Sequence, residues 1–267
     1  MIHDFESTSF RDRFKPVRLR AVPAVTRAVA ILRLLGTQKN GLGVKAIADE
    51  LDLVPSTCLH ILRALVAEDL VRQEKDTKRY SLASGMVGLA RAALETAGFA
   101  RAAQPVLEQI AARWGITVLG VELSQRDTMI VLVAARPDQP LQLHANVGSE
   151  FFKLTSATGR LVAAFGGLKE EDLQAEFRKV QWDRPVPFEK WRQQVQEARE
   201  QGWSVDRDSY RSGITAYAAP VLSESGIMTH SLVAMGLSSD MQTVDPAALV
   251  GDLQRAAATI ARELATQ

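Results

Sequence analysis

Apolar residues recur at helical spacing through the first third of the chain, and the spacing predicts three short helices ahead of a hairpin. Val25, Ala28, Val29, Leu32 and Leu35 form one stripe, stopped by Gly36 and the Lys39-Asn40-Gly41 turn. Val44, Ile47, Ala48 and Leu51 fall at i, i+3, i+4 and i+7, and Cys58, Ile61, Leu62 and Leu65 repeat that spacing. Between these two stripes lies the break Asp52-Leu53-Val54-Pro55, with Pro55 placed to open the third helix. Two β-prone runs follow, Leu70-Val71-Arg72 and Tyr80-Ser81-Leu82, joined by the polar tip Lys75-Asp76-Thr77-Lys78.

Beyond Ser84 the pattern changes. Residues 84–98 read as a connecting helix with a small-residue face (Met86, Leu89, Ala90, Ala93), and Val106, Ile110 and Trp114 mark a helix ending at Gly115. Strands are expected at 116–123 and 128–135 around Ser124-Gln125-Arg126-Asp127, with a third at 141–147. Helices at 156–165, 170–177 and 188–201 follow, the last capped by Gly202. Strands resume at 203–206, 213–222 and 231–237, and Asp245-Pro246 opens a final helix running to Leu264. The order is mixed α+β, with antiparallel hairpins and helices covering a sheet. It divides into an arm (1–20), a helical head with a hairpin (21–83), a linker helix (84–98) and a body (99–267).

Composition adds an asymmetry. Hydrophobic residues make up 46% of the 267, enough for two domains with their own cores. The net charge of +1 hides a basic front: residues 1–90 carry 14 Lys and Arg against 10 Asp and Glu, and the remainder 18 against 21. Arg11, Arg13, Lys15, Arg18 and Arg20 crowd the end of the arm, as a phosphate-tracking segment or a merely solvated tail. The single cysteine, Cys58, excludes an internal disulfide and lies on an inward stripe, as in a cytoplasmic protein. No apolar run approaches a membrane span, and no signal-peptide core opens the chain.

Candidate chemistry concentrates in the head. Opposite the stripe of the third helix stand Ser56, His60 and Arg63, a donor-bearing face suited to phosphates and base edges in a major groove. Two amphipathic helices around a sharp turn also occur in plain helical cores; the hairpin with its basic tip favours DNA. Against an enzyme, His3, His60, His144 and His230 are scattered without metal-ligand spacing, Cys58 and His60 point to different helix faces, and no Gly-x-Ser-x-Gly elbow is present. Asp206 and Asp208 are a conceivable acid pair, but alternate acids at a strand end are more often solvated. No catalytic, metal or cofactor-binding residue is assigned. Two rivals stay open: an enzyme acting on a small organic acid through the body, which would turn its ligand over, and an architectural DNA-binding protein indifferent to metabolites.

From about Ala24 to Leu264 the chain resembles the IclR family of bacterial transcriptional regulators. The resemblance runs through Thr26-Arg27-Ala28-Val29-Ala30-Ile31-Leu32, Leu51-Asp52-Leu53-Val54-Pro55-Ser56-Thr57 and Arg79-Tyr80-Ser81-Leu82 in the head. In the body it runs through Thr155-Ser156-Ala157-Thr158-Gly159-Arg160, residues 202–208, and residues 213–221 with Ala-Ala-Pro-Val. It implies an N-terminal winged helix-turn-helix and a C-terminal GAF-like α/β effector-binding domain with an antiparallel sheet. It also implies that Lys45, Ser56, Thr57, His60 and Arg63 face double-stranded DNA, with Lys78 and Arg79 on the wing. His60 stands where the family usually has Arg, which alters base preference; a bidentate Arg contact is worth about 1–3 kcal/mol of discrimination. Gly159, Asp206, Ala216, Val233 and Met235 are the implied effector-binding residues. Family members often have Cys in place of Ala216 and Ser in place of Val233 and Met235, so this pocket offers fewer hydroxyls and suits a more apolar or aromatic organic acid. Of the family's acidic pair, Asp208 fits and Ser209 replaces the second acid. The further expectations are a homodimer or dimer of dimers on a pseudo-palindromic operator, with RNA polymerase as a further partner, and action as repressor or activator.

Overall fold

The computed structural model describes residues 22–96, 98–124, 127–137, 143 and 145–266. The basic arm, including Arg11 to Arg20, lies outside the described residues. The chain divides into two compact units between Ala92 and Ala93.

The first unit packs α1 (Pro23–Gly36), α2 (Val44–Glu50) and α3 (Pro55–Ala67) around Ile31, Leu35, Ile47, Cys58 and Leu62. The expected stripe of α1 is rotated toward its end: Ile31 and Leu35 are sealed, whereas Val25 is 61% exposed. The turn after α2 is a Schellman motif. Asp52 takes φ 50°, and the Leu53 N–H donates to Ala48 O at 2.8 Å, so α3 leaves at a fixed angle. Asp tolerates this left-handed backbone better than most residues. The same device ends α3, with Asp69 at φ 55° and the Leu70 N–H on Leu65 O at 3.0 Å. Strands β1 (Val71–Gln73) and β2 (Tyr80–Leu82) pair antiparallel, and Tyr80 bridges back to Leu42, which stitches the hairpin to the helices. The helix α4 (Gly85–Thr96) follows.

The second unit is a six-stranded antiparallel sheet with helices on both faces. Its strands are β3 (Thr117–Leu123), β4 (Thr128–Ala135), β5 (Glu150–Phe152), β6 (Ser204–Arg207), β7 (Ile214–Leu222) and β8 (Met228–Leu237), in the order β5-β4-β3-β8-β7-β6. One face carries α5 (Gly98–Trp114) and α10 (Pro246–Ala265) over Val118, Tyr217 and Leu232. The other carries α6 (Ser156–Phe165), α7 (Glu170–Phe177) and α8 (Phe188–Gln201) over Leu119, Ala218 and Val233. A short α9 (Ser238–Met241), not expected from the sequence, precedes the Asp245 N-cap of α10, whose carboxylate accepts from Ala247 and Ala248 N–H.

One expectation is corrected. The third strand of the body is β5 at 150–152 and not 141–147: residues 143 and 145–147 form no strand, and 141, 142 and 144 lie outside the described residues. Strand β4 does not keep one face to one core. Val121 pairs with Val131 and Gly120 with Val133, leaving Leu132 as the extra residue of a bulge. Met129 and Val131 therefore face α6, while Val133 and Ala135 face α5.

The Phe99 and His230 rings stack at 4.0 Å and 14°, joining the start of α5 to β8. Burial pushes the His230 pKa down to about 4. His230 stays neutral in the fold while the unfolded chain takes up a proton near pH 6.5, so its contribution is intact above pH 6.5 and is lost as pH falls toward 4. Denaturant titrations should show this loss, up to about 3 kcal/mol, in the native protein and its absence in His230→Phe; equal pH dependence of the two proteins in that window refutes it.

Candidate functional site

The DNA-reading candidates lie on α2, α3 and the hairpin of the head, and all but Thr57 are exposed. Cys58, Leu62 and Leu65 of α3 are buried, and burial raises the Cys58 thiol pKa. The same periodicity leaves Ser56, His60 and Arg63 exposed and Thr57 half-buried, with Lys45 exposed on α2. At the hairpin, Lys78 and Arg79 are exposed; Lys78 takes φ 55° at the turn, and Arg79 Nη1 donates to Gly41 O at 3.3 Å. That contact anchors Arg79 to the α1–α2 connection, so its guanidinium is held rather than trailing in solvent.

In the body, the α6 side of the sheet holds a cavity of about 250 Å³, just below the ~300–1,000 Å³ usual for small-molecule sites. Its floor is apolar: Leu119, Val121, Met129, Ala216, Val233 and Met235. The register explains why distant residues meet there. Asp206 pairs with Ala216, and Ala216 with Met235, so these three form one cross-strand row. Val233 belongs to the next row, beside Leu119 and Ala218. Four of the five sequence candidates, Asp206, Ala216, Val233 and Met235, thus line one cavity. Gly159 is not among its lining residues. It lets α6 approach the turn that leads into it instead, since a Cβ there would lie 2.0 Å from the Leu154 carbonyl carbon.

Sequence reasoning missed the polar rim. Thr155, Ser156 and Thr158, at the N-terminus of α6, line the cavity, and Ser156 takes φ 56°. Thr155 and Thr158 are each 4% exposed. The first-turn N–H groups of α6 make this end partly positive. Tyr210 and Arg211, from the β6–β7 connection, and Ile214, which opens β7, complete the rim.

Asp206 is not solvated as its place at a strand end suggested; it is 2% exposed, and Arg160 of α6 is 1% exposed beside it. Arg160 Nη2 donates to Asp206 Oδ1 at 3.2 Å, Nη1 to Ser156 O at 2.8 Å, and Nε to Gln194 Oε1 at 2.9 Å. The second carboxylate oxygen accepts from the Tyr210 N–H at 3.0 Å. Burial pulls the Arg160 pKa below its ordinary value, and Asp206 pulls it back up. The sequence signal was available: a lone Arg inside the apolar run 157–163 needs a buried partner. Asp208 has another task. Its Oδ1 accepts from the Gly213 N–H and the Ser238 hydroxyl, both at 2.8 Å, which lowers its pKa and closes the 208–213 loop.

Comparison with known proteins agrees with both units. Residues 91–262 match the family model for the bacterial transcriptional regulator IclR C-terminal domain, and residues 24–75 match the IclR helix-turn-helix domain. The chain is 28% identical over 252 residues to the glycerol operon regulatory protein of Streptomyces griseus, covering 92% of this chain and 97% of that one. It superposes on an IclR transcriptional regulator from Alicyclobacillus acidocaldarius with a TM-score of 0.80 at 26% identity, over 91% and 99% of the two chains. An IclR homolog from Microbacterium hydrocarbonoxydans, solved with 4-hydroxybenzoate, shares the fold at TM-score 0.73 and 18% identity, over 91% and 100%.

The buried pair yields a stability prediction. Asp206→Ala strands the Arg160 charge and should cost about 3–5 kcal/mol in urea unfolding, whereas an apolar replacement of both partners should recover most of the loss. A cost below 1 kcal/mol for the single variant would contradict the pairing.

Proposed function

The chain belongs to the IclR family of bacterial transcriptional regulators, a ligand-responsive DNA-binding regulator rather than an enzyme, and from that premise we propose that its body senses a compact, largely apolar organic acid, aromatic acids included. The observation that carries this reading is the cavity itself: an apolar floor of Ala216, Val233 and Met235 beneath a rim of Thr155, Ser156 and Thr158, at the start of α6, and Arg211. Such a site takes a ring or short chain below and a carboxylate above. The 4-hydroxybenzoate bound by the Microbacterium homolog is a ligand of this chemistry. The helix-flanked antiparallel sheet suits the description GAF-like.

In the head, Ser56, Thr57, His60 and Arg63 read a major groove, while Lys45, Lys78 and Arg79 hold phosphates. The exposure of all of these but Thr57, around the packed core of the head, supports this. The protein acts on a pseudo-palindromic operator as a homodimer in the cytoplasm. Val22, Val25, Val87 and Leu89 are each more than half exposed on the single chain, and pairing with a second copy would cover exposed apolar side chains of this kind. The effector works by binding one arrangement of the paired heads better than another, since half-sites about one helical turn apart demand a fixed separation.

Two variants test the two halves separately. Arg63→Ala should weaken operator binding about tenfold or more, with melting unchanged; native affinity removes Arg63 from the groove. Met235→Trp should fill the cavity and abolish the acid response while DNA binding persists; a native response in that variant places the ligand elsewhere.

A further inference from the structure

Among the described residues lining the cavity, Arg211 is the sole Lys or Arg, and its present partner lies outside the cavity lining. Its Nη1 donates to Asp183 Oδ1 at 2.9 Å, and its guanidinium carbon sits 4.4 Å from the Tyr210 ring centroid. Asp183 belongs to the connection between α7 and α8. Its other oxygen accepts from the Ser212 N–H at 3.0 Å. The backbone is stitched across the same gap, Asp183 N–H to Tyr210 O at 3.3 Å and Arg184 N–H to Ser209 O at 3.0 Å. The loop at 208–213 is thus latched to residues 183–184, and the ion pair in that latch is half exposed, 46% for Arg211 and 39% for Asp183. Such a pair is screened by water and weak.

We propose that Arg211 is the specificity-determining residue of the cavity: an effector carboxylate takes the guanidinium over from Asp183, and the 208–213 loop passes from a latch to a lid on the ligand. This rests on the acid-sensing reading above. Three features favour the exchange. A carboxylate in the cavity mouth is less hydrated than Asp183, so it gains more from the planar, two-pronged guanidinium. The apolar row Ala216–Met235 offers nothing to a charge and directs the carboxylate outward. Deeper in, Arg160 is already engaged by Asp206 and does not line the cavity, so the pair offers an anion no free positive charge. Tyr210 couples the two ends, since its N–H is held by Asp206 and its ring lies under Arg211.

The test uses the full-length protein with benzoate, 4-hydroxybenzoate and the two matching carboxamides, titrated by calorimetry, folding being checked by thermal melting. Native protein should prefer each acid to its amide. Arg211→Gln should bind the acids about tenfold more weakly and lose that preference, Arg211→Lys should fall between, and Asp183→Asn, which removes the competitor, should bind the acids several-fold more tightly. Without ligand, Asp183→Asn should also speed amide hydrogen exchange at Ser212. Native acid affinity and preference in Arg211→Gln overturn the proposal and move the anion to the N-terminus of α6. No binding of either acid to the native protein overturns the acid-sensing reading beneath it, and this failure is distinct because it appears before any substitution. Unchanged exchange at Ser212 in Asp183→Asn removes the latch.

Discussion

The buried contact between Arg160 and Asp206 is the constraint on which the body depends. It joins α6 to the edge of the sheet in a place where neither charge reaches water. Taking two such groups out of water is costly, and the cost is offset only because every strong donor and acceptor has a partner: Gln194, the Ser156 carbonyl and the Tyr210 N–H complete the set. Gly159 lets the turn before α6 pack against the helix, as any side chain there would strike the Leu154 backbone. With α6 fixed, its N-terminus, the Asp206–Ala216–Met235 row and the β6–β7 connection enclose one space. A polar pair thus fixes the position of a mostly apolar pocket.

The head solves a different problem. Reading DNA requires that a few side chains keep their places while remaining exposed. Two Schellman turns with Asp in the left-handed position and the bridge between Leu42 and Tyr80 provide this rigidity without a large core. A ligand in the body changes operator affinity only through a difference in free energy between arrangements of the protein, so both units must be stiff enough to transmit it.

Local periodicity made most of the architecture legible. Cys58, Leu62 and Leu65 repeat at helical spacing and are buried, so the exposure of Ser56, His60 and Arg63 followed. What failed depended on contacts distant in sequence. The bulge at Leu132 sends Val133 to the opposite core from Val131, which alternation alone does not reveal. Asp206 looked solvated because its partner, Arg160, lies 46 positions earlier. The Arg211–Asp183 pair spans 28 positions and had no local signature at all. The pocket residues Ala216, Val233 and Met235 were found through family resemblance, and the register then brought them into adjacent rows with Asp206.

Under the proposed function, acid in the body alters DNA affinity in the head. Fluorescence anisotropy with labelled DNA from upstream of the protein's own gene, with and without a saturating aromatic acid, measures that link directly. A shifted binding midpoint is expected for this DNA and none for an unrelated sequence. An acid that binds the body by calorimetry yet leaves the operator midpoint unchanged would contradict it.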